Sequence, residues 1–400
     1  MERFGSVYAP LSGWHVRIQL QAGRDGNSVA GRVHTKVRST ERKHIMKKWI
    51  LGIGLAVLVI GIVAGVFIWR SFGEPLYTPG MVSAGENLRA PLTPPQQSGA
   101  EDFWQVEPDI ELHHFAAGEG RNVVVVHGGP GMPYVEAWPG LEPLTGDYRF
   151  HYYDQRGSGL STRPITSFDS ANYYENLTTL DQTLGLGAQI ADIERIRQIL
   201  GEEKLILIGH SFGGFIASLY AAEFPEHVEA LILVAPATLL VMPIEGDDLF
   251  GSVRELLLPE QLADYDAYIE SYFDFSDLFS NTEEDLIALN AGFGEFYAQV
   301  VDLPMVEMEQ GQPGGWMVQA MYFSMGQRHD YRPALAKVSA PVLVIHGEND
   351  MQTEAQSRVY TEAFPNAEFQ VIADTTHFPF YEQTESFASI VQAFLADINN

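Results

Sequence analysis

Short runs of valine, isoleucine and leucine alternate with helical patterns from about residue 106 to the C-terminus. Near-continuous apolar runs of five to seven residues are typical of parallel strands that are buried on both faces. The predicted strands are 122–126, 148–153, 204–208, 228–234, 341–345 and 368–372, and the clearest helical patterns are 187–200, 212–224 and 382–395. This alternation predicts a doubly wound α/β domain with a mostly parallel sheet.

One connection in this domain is far longer than the others. More than a hundred residues separate the predicted strands 228–234 and 341–345, whereas connections in such folds usually have about 2–6 residues. Helical patterns at 248–258, 259–273 and 283–301 occupy this interval. The sequence therefore predicts a helical cap at 238–337, inserted late in the sheet, and an α/β domain made of 106–237 and 338–400. A cap that follows a strand end is expected over the site-bearing edge of the sheet.

A second apolar pattern precedes the domain. Residues 49–69 form 21 consecutive positions without a charge, and a tryptophan stands at each end of this segment. Lys47 and Lys48 precede it, and Arg70 follows it. With a rise of about 1.5 Å per residue along the helix axis, an α-helix of this length spans a hydrocarbon layer of roughly 30 Å. A buried core helix rarely runs so long without polar residues, and a cleaved signal peptide normally has a shorter apolar region. The pattern favours an uncleaved transmembrane signal anchor.

The sign of the net charge differs between the residues before this segment and those after it. Residues 1–48 contain ten basic and three acidic residues, whereas the rest contains fourteen basic and 49 acidic residues. The positive-inside rule predicts a cytoplasmic N-terminus and an extracytoplasmic acidic domain. Residues 1–48 are interpreted as a basic tail, and residues 1–45 have little helical or strand period. The true start is then Met46, or the tail is disordered, or it is a transit peptide. The proline-rich interval 70–105 is predicted to be an extended linker.

Composition excludes several classes of function. The chain has 400 residues, 46% of them hydrophobic, and a formal net charge of −28, which argues against a nucleic-acid partner. It contains no cysteine, which excludes thiol catalysis, cysteine-ligated metal sites and disulfides.

The strongest chemical motif is G-x-S-x-G at 209–213 (GHSFG). It directly follows a predicted strand and opens a predicted helix, which is the strand–turn–helix context of a serine nucleophile. Ser211 is the predicted nucleophile, and the N–H of Phe212 is a predicted oxyanion donor at the start of the helix.

A serine nucleophile requires a base and an orienting acid. In α/β domains with a G-x-S-x-G turn, the three residues follow along the chain in the order serine, acid, histidine. His377, in the loop after the last predicted strand, is the predicted base. Asp350, after the preceding strand, is the predicted acid, with Glu348 and Asp374 as rivals. This chemistry requires no metal and no organic cofactor.

The second oxyanion donor is predicted from an earlier strand-to-loop turn. The motif HGGPG at 127–131 follows the strand at 122–126, and two glycines there free backbone N–H groups to point into a cavity. The N–H of Gly129 is the predicted donor, whereas His127 is interpreted as structural.

Four motifs together resemble the proline iminopeptidase branch of the α/β-hydrolases. They are HGGPG at 127–131, DQRGSGLS at 154–161, NLTT at 176–179 and DIER at 192–195. The resemblance extends over about 106–236 and 338–398. At the nucleophile the chain has GHSFGG, where that branch commonly has a GGSxG form.

The resemblance implies a serine aminopeptidase that releases an N-terminal residue, often proline, from short peptides. Cap carboxylates bind the free amine in that branch. Glu295 is the best candidate here, because the motif GEF at 294–296 is similar to a Glu-Phe element in some peptidase caps, and Glu307 and Glu309 follow it. The cap interval 238–337 has eighteen acidic and four basic residues, which a solvated acidic surface also explains. Trp316 and Met317 are candidates for lining the pocket or for the cap core.

Two other functions remain open at this point. One is a membrane-anchored carboxylesterase, or another hydrolase with the same triad, acting on an ester substrate. The other is a non-catalytic binding protein of the same fold. The sequence gives no oligomeric state.

Overall fold

The structure is a computed structural model, and it describes residues 16–22, 29–35, 73–244, 248–301 and 311–398. The chain divides into two units, residues 1–72 and 73–400. In the first unit, strands β1 (Val16–Ala22) and β2 (Val29–Thr35) pair antiparallel. Little strand period was expected in this tail, although Val16, Ile18 and Leu20 of β1 alternate with polar residues.

The second unit is built on an eight-stranded sheet with the order β12-β11-β8-β7-β5-β6-β4-β3. Strands β5 to β8, β11 and β12 are parallel, whereas β3 and β4 pair antiparallel at one edge. The strands are β3 (Phe103–Glu107), β4 (Ile110–Gly118), β5 (Arg121–Val126), β6 (Tyr148–Tyr153), β7 (Leu205–His210), β8 (Val228–Val234), β9 (Val241–Met242), β10 (His329–Asp330), β11 (Val342–Gly347) and β12 (Ala367–Ile372). The predicted mostly parallel α/β sheet is confirmed.

Helices cover both faces of this sheet and fill the long interval between β8 and β11. The helices are α1 (Tyr173–Leu184), α2 (Leu186–Leu200), α3 (Phe212–Glu223), α4 (Leu249–Leu256), α5 (Leu262–Tyr272), α6 (Glu283–Val300), α7 (Trp316–Met325), α8 (Arg332–Leu335), α9 (Glu354–Ala363), α10 (Pro379–Glu382) and α11 (Thr384–Ile398). Helices α4 to α8 lie in the interval 238–337 that the sequence predicts to be the cap.

Successive side chains of the central strands enter two separate cores, as the period of two in a strand requires. Val124 and Val126 of β5 pack into the core formed with α2 and α3. Val123 and Val125 pack into the core on the other face, formed with Trp138 and the residues of α11. Burial on both faces explains the uninterrupted valine run of this strand.

The edge hairpin β3–β4 was not predicted. Trp104, Val106, Ile110 and Leu112 are buried and alternate with more exposed residues, which is a strand pattern. The prolines that precede β3 dominate the local composition, and so the sequence predicts a linker over most of this strand. The α/β domain therefore begins earlier in the chain than residue 106.

Residues 73–100, which we call the strap, are not the free linker that the sequence predicted. Tyr77 and Val82 are almost fully buried, and Leu88 and Leu92 pack against the core shared with α2 and α3. The strap has few apolar residues and no regular period, so its pattern in the sequence resembles that of a linker. It is instead part of the folded domain.

One buried carboxylate holds the first half of the strap. Glu223, at the end of α3, accepts hydrogen bonds of 2.8–2.9 Å from the Tyr77 hydroxyl, the Gly80 amide and both the amide and the hydroxyl of Ser83. Helix α3 therefore carries Ser211 at its N-cap and anchors the strap at its last residue.

The predicted transmembrane segment 49–69 lies outside the described residues. Within the parts of the chain that the structure describes, no helix is both long enough and apolar enough to cross a bilayer.

Candidate active site

Ser211 occupies the sharp turn between β7 and α3. It is the N-cap residue of α3 with φ 53° and ψ −122°, a backbone conformation that a non-glycine residue rarely adopts. The backbone packs tightly on both sides of this turn. A methyl group on Gly209 would lie 2.5 Å from the carbonyl oxygen of Gly213, and one on Gly213 would overlap the carbonyl oxygens of Val126 and His127. The glycines of the motif are therefore steric requirements of the turn.

This packing predicts a strong and position-specific effect of glycine substitution. Gly213→Ala is expected to destabilise the protein by about 3 kcal/mol, because the added methyl meets rigid backbone atoms. The matched control is Gly294→Ala in α6, where the methyl meets nothing within 4 Å and the change should stabilise by about 0.5–1 kcal/mol. Urea unfolding of both variants measures the difference; equal unfolding midpoints would contradict this description of the turn.

His377 and Asp350 form a buried pair. The Nδ1 of His377 lies 2.9 Å from Asp350 Oδ2, and the side chain of Asp350 is 1% exposed. Asp350 Oδ1 also accepts the Gln352 amide at 3.0 Å. Since a carboxylate accepts, Nδ1 carries the proton in this pair, and Nε2 is the nitrogen left to act as a base.

The two rival carboxylates lie elsewhere. Glu348 and Asp374 are both exposed, and Glu348 accepts the Asp374 amide at 3.1 Å. Asp374 has φ 56°, so it shapes the turn that precedes the histidine loop. Among the three candidate acids, His377 contacts Asp350.

A buried chain of two hydrogen bonds, which the sequence did not predict, connects His210, the residue before Ser211, to Tyr134 and to the loop of His377. The Tyr134 hydroxyl donates to His210 Nδ1 over 2.6 Å, and His210 Nε2–H donates to the carbonyl oxygen of His377 over 2.8 Å. Burial lowers the pKa of His210 well below its ordinary value, so its ring is neutral and relays one hydrogen bond on each side. His210 is the first variable residue of G-x-S-x-G, and the motif alone assigns it no role.

The two predicted oxyanion donors flank the nucleophile turn. A methyl on Gly128 would lie 2.8 Å from Ser211 Cβ, which shows how closely the HGGPG loop approaches. Gly129 follows with φ 113°. The N–H groups of Gly129 and Phe212 form no hydrogen bond within the described part of the chain. Both are thus free to donate to an oxygen that develops charge beside Ser211.

His127 supports the HGGPG loop and is not part of the Asp350–His377 pair. Its Nε2 accepts the Gln155 amide at 3.0 Å, and the Gln155 side chain donates to the His127 carbonyl at 2.8 Å. Burial lowers the pKa of His127 to about 4, so the ring stays neutral near pH 7. This arrangement agrees with the structural role that the sequence favoured.

The buried histidines predict a loss of stability in mild acid. An unfolded histidine binds its proton near pH 6.5, whereas folded His127 binds it near pH 4, so the unfolded state binds more protons between these values. The free energy of unfolding therefore falls as the pH decreases through this window, by about 2 kcal/mol at pH 5 for this residue alone. Burial also lowers the pKa of His151 to about 4, with the same sign.

The measurement is urea unfolding at pH 7 and pH 5 of the wild type and of His127→Gln. Asp154 and Asp181 have pKa values raised by burial, and their effect on stability has the opposite sign. The variant isolates the histidine, because it retains these carboxylates and removes one titrating group. A pH dependence that is equally steep in the variant would contradict the assignment.

The arginine of the DQRG motif is part of a buried charge network. Arg156 is fully buried and contacts Asp192 at 2.5–2.6 Å and Glu107 at 2.7 Å. Arg195 contacts the same two carboxylates at 3.0–3.1 Å and also the carbonyl oxygens of strap residues 90 and 91. Two of the motifs that carry the resemblance thus bind each other and the strap.

The cap helices touch the loops that carry the pair. Val253, Leu257, Tyr265 and Tyr297 form the small core of α4 to α6, and Met351 and Phe378 pack against it. Met351 follows Asp350, and Phe378 follows His377. Burial, together with the nearby charges of Asp350 and Glu382, raises the pKa of Tyr297. The cap core therefore lies beside the candidate site.

Trp316 and Met317 belong to the core and do not line an open pocket. Both are completely buried at the start of α7. Trp316 stacks on Phe279, and Met317 fills the space beside Gly131 and Gly157.

The structure does not bring Glu295 to the site. Its side chain is exposed, and it lies two residues from Tyr297, which is about 200° around the helix. Because Tyr297 faces the catalytic loops, Glu295 faces away from them. The sequence suggested it from a local motif alone, which carries no information on helix orientation. The weaker candidates Glu307 and Glu309 lie outside the described residues.

The donors at this site do not form a metal centre. Within the described ranges, no group of three or more histidine, aspartate and glutamate side chains is arranged to hold a metal ion.

Comparison with known proteins agrees with the fold. A family model described as alpha/beta hydrolase fold matches residues 121–384, from β5 to the start of α11. The chain belongs to the α/β-hydrolase family. The hydrolase is similar to the proline iminopeptidase of Heyndrickxia coagulans, with 25% identity over 292 residues, 70% of this chain and 92% of the relative. It is equally similar to that of Lactobacillus acidophilus, with 25% identity over 302 residues, 71% of this chain and 94% of the relative.

Among solved structures, the hydrolase is similar to an esterase from Exiguobacterium antarcticum. The TM-score is 0.52 at 20% identity, covering 74% of this chain and all of the esterase. At this identity the likeness shows the fold and does not separate peptidase from esterase activity.

Proposed function

We propose that this hydrolase is a serine aminopeptidase that releases an N-terminal residue, often proline, from short peptides through an acyl-enzyme. The observation that carries the proposal is the buried Asp350–His377 pair, joined through His210 to the strained turn at Ser211. Support for the peptide substrate comes from the proline iminopeptidase relatives.

In the proposed mechanism, Ser211 Oγ attacks the substrate carbonyl while His377 Nε2 accepts its proton. Asp350 holds the Nδ1–H and stabilises the imidazolium that forms. The N–H groups of Phe212 and Gly129 bind the oxyanion, and each such donor typically contributes about 10²–10³ in rate. His377 then protonates the leaving amine, and water attacks the acyl-enzyme by the reverse sequence of proton transfers.

The test compares kcat/KM for three substrates: a prolyl arylamide with a free amine, its N-acetylated form, and a short-chain aryl ester. We expect the free amine to be preferred over the acetylated form by about 10²-fold, the effect of losing one charged contact. Glu295→Gln serves as a control, since an exposed carboxylate that faces away from the site should leave this ratio unchanged. Turnover of the ester with none of either arylamide would contradict the aminopeptidase proposal.

That last outcome would favour the second candidate function, a carboxylesterase with the same nucleophile, acid and base. The feature that favours it is GHSFGG at 209–214, where the peptidase branch commonly has a GGSxG form.

We also propose that residues 49–69 anchor the enzyme with its catalytic domain outside the cytoplasm. The support is the uncharged 21-residue segment and the excess of basic residues before it. Expression of the full chain followed by carbonate extraction of membranes tests this proposal: release of the enzyme into the supernatant would contradict it.

A further inference from the structure

The loop of His377 is held on both sides of the histidine by one carboxylate. Glu382, at the end of α10, accepts the amide of Thr376 at 2.7 Å and the amide of Phe378 at 3.1 Å. It also accepts the hydroxyl of Thr376 at 2.8 Å. The two amides belong to the residues immediately before and after His377.

Glu382 is half-buried, and these three hydrogen bonds are the ones that its carboxylate accepts from the loop. Among the described residues, no lysine, arginine or histidine forms an ion pair with it. Hydrogen bonds to an ionised acceptor are shorter and roughly twice as strong as those between neutral groups. The two loop amides and the Thr376 hydroxyl therefore share one ionised acceptor.

The carbonyl of His377 is held from the opposite direction. His210 Nε2–H donates to it, and His210 is adjacent to Ser211 in the chain. Glu382 thus fixes the amides that flank the histidine, while His210 fixes its own carbonyl. Together these contacts determine where the imidazole lies relative to Ser211.

We propose that Glu382 is a positioning residue for His377, which sets the geometry of proton transfer from Ser211 without touching the substrate. A displacement of about 1 Å in a reacting group can lower the rate of a step about 10²-fold. The proposal rests on the proposed serine mechanism. It predicts that loss of the carboxylate lowers kcat and leaves KM nearly unchanged.

The experiment measures the rate of covalent labelling by an aryl phosphonate, which requires an activated serine, together with kcat and KM on the best substrate. Glu382→Ala is expected to lower kcat and the labelling rate about 10²-fold, with KM changed less than about threefold. Glu382→Gln, which keeps one acceptor oxygen, should recover part of this loss. Glu385→Gln is the matched control: it removes a charge from an exposed residue of α11 and should change neither rate.

The outcomes separate this proposal from the mechanism on which it rests. Absence of labelling at Ser211 in the wild type would overturn the proposed mechanism itself. Normal labelling in the wild type with an equal rate in Glu382→Ala would overturn the positioning role alone. A decrease that matches the loss of folded protein in near-UV circular dichroism would also overturn it. If Glu382→Ala does not fold, Glu382→Gln decides, and an unchanged labelling rate in it overturns the proposal.

Discussion

Replacing Ser211 with alanine is expected to lower kcat by about 10⁶-fold, because the variant lacks the atom that forms the acyl-enzyme. The residual rate would come from the oxyanion donors Phe212 and Gly129 acting on a bound substrate. Substrate affinity should change little, since Ser211 is 9% exposed and contributes little contact surface. The measurement is steady-state turnover of the preferred substrate by both proteins.

Ser218→Ala is the matched control for this substitution. Ser218 lies on the same helix, is fully buried and donates its hydroxyl to the Gly214 carbonyl at 2.7 Å. Its loss should cost about 1 kcal/mol of stability and leave kcat nearly intact. Comparable activity of Ser211→Ala and Ser218→Ala would contradict the nucleophile assignment.

Replacing Asp350 with asparagine is expected to lower kcat about 10⁴-fold. The amide group of asparagine can donate to Nδ1 of His377 and so stabilises the wrong tautomer, in which Nε2 carries the proton and cannot act as a base. The free energy of unfolding should also fall, because the Gln352 amide and His377 lose a charged acceptor.

The two rival carboxylates provide controls with the same change of charge. Glu348→Gln and Asp374→Asn alter exposed residues whose side chains form no hydrogen bond with His377 in the described part of the chain, and asparagine tolerates the positive φ of position 374. Both should retain kcat within about twofold. A large loss in either variant, with a small loss in Asp350→Asn, would reassign the acid.

Local patterns predicted the parallel strands of the sheet and the candidate nucleophile, acid and base, because each depends on few neighbouring residues. An uninterrupted valine run predicts a strand that is buried on both faces. The motif GHSFG between a strand and a helix predicts a sharp turn. The chain order of the fold then pointed to Asp350 and His377. The structure brings these two side chains within hydrogen-bonding distance.

Features that depend on distant contacts were not predicted. The strap has the composition of a linker, and its contacts are with residues far along the chain, such as Glu223, about 140 residues after Ser83. The Tyr134–His210 relay and the Glu382 contacts join groups whose roles have no local signature. Glu295 was expected to bind the free amine, but the structure places it on the side of α6 that faces away from the site. A short motif on a helix does not determine which way the helix faces.

The most direct test of the account is the mass of the full-length enzyme after reaction with an aryl phosphonate, followed by mapping of the modified peptide. One adduct per chain is expected, in the peptide between Lys204 and Arg254, with fragmentation that assigns it to Ser211. The absence of an adduct, or an adduct on any other residue, would contradict it.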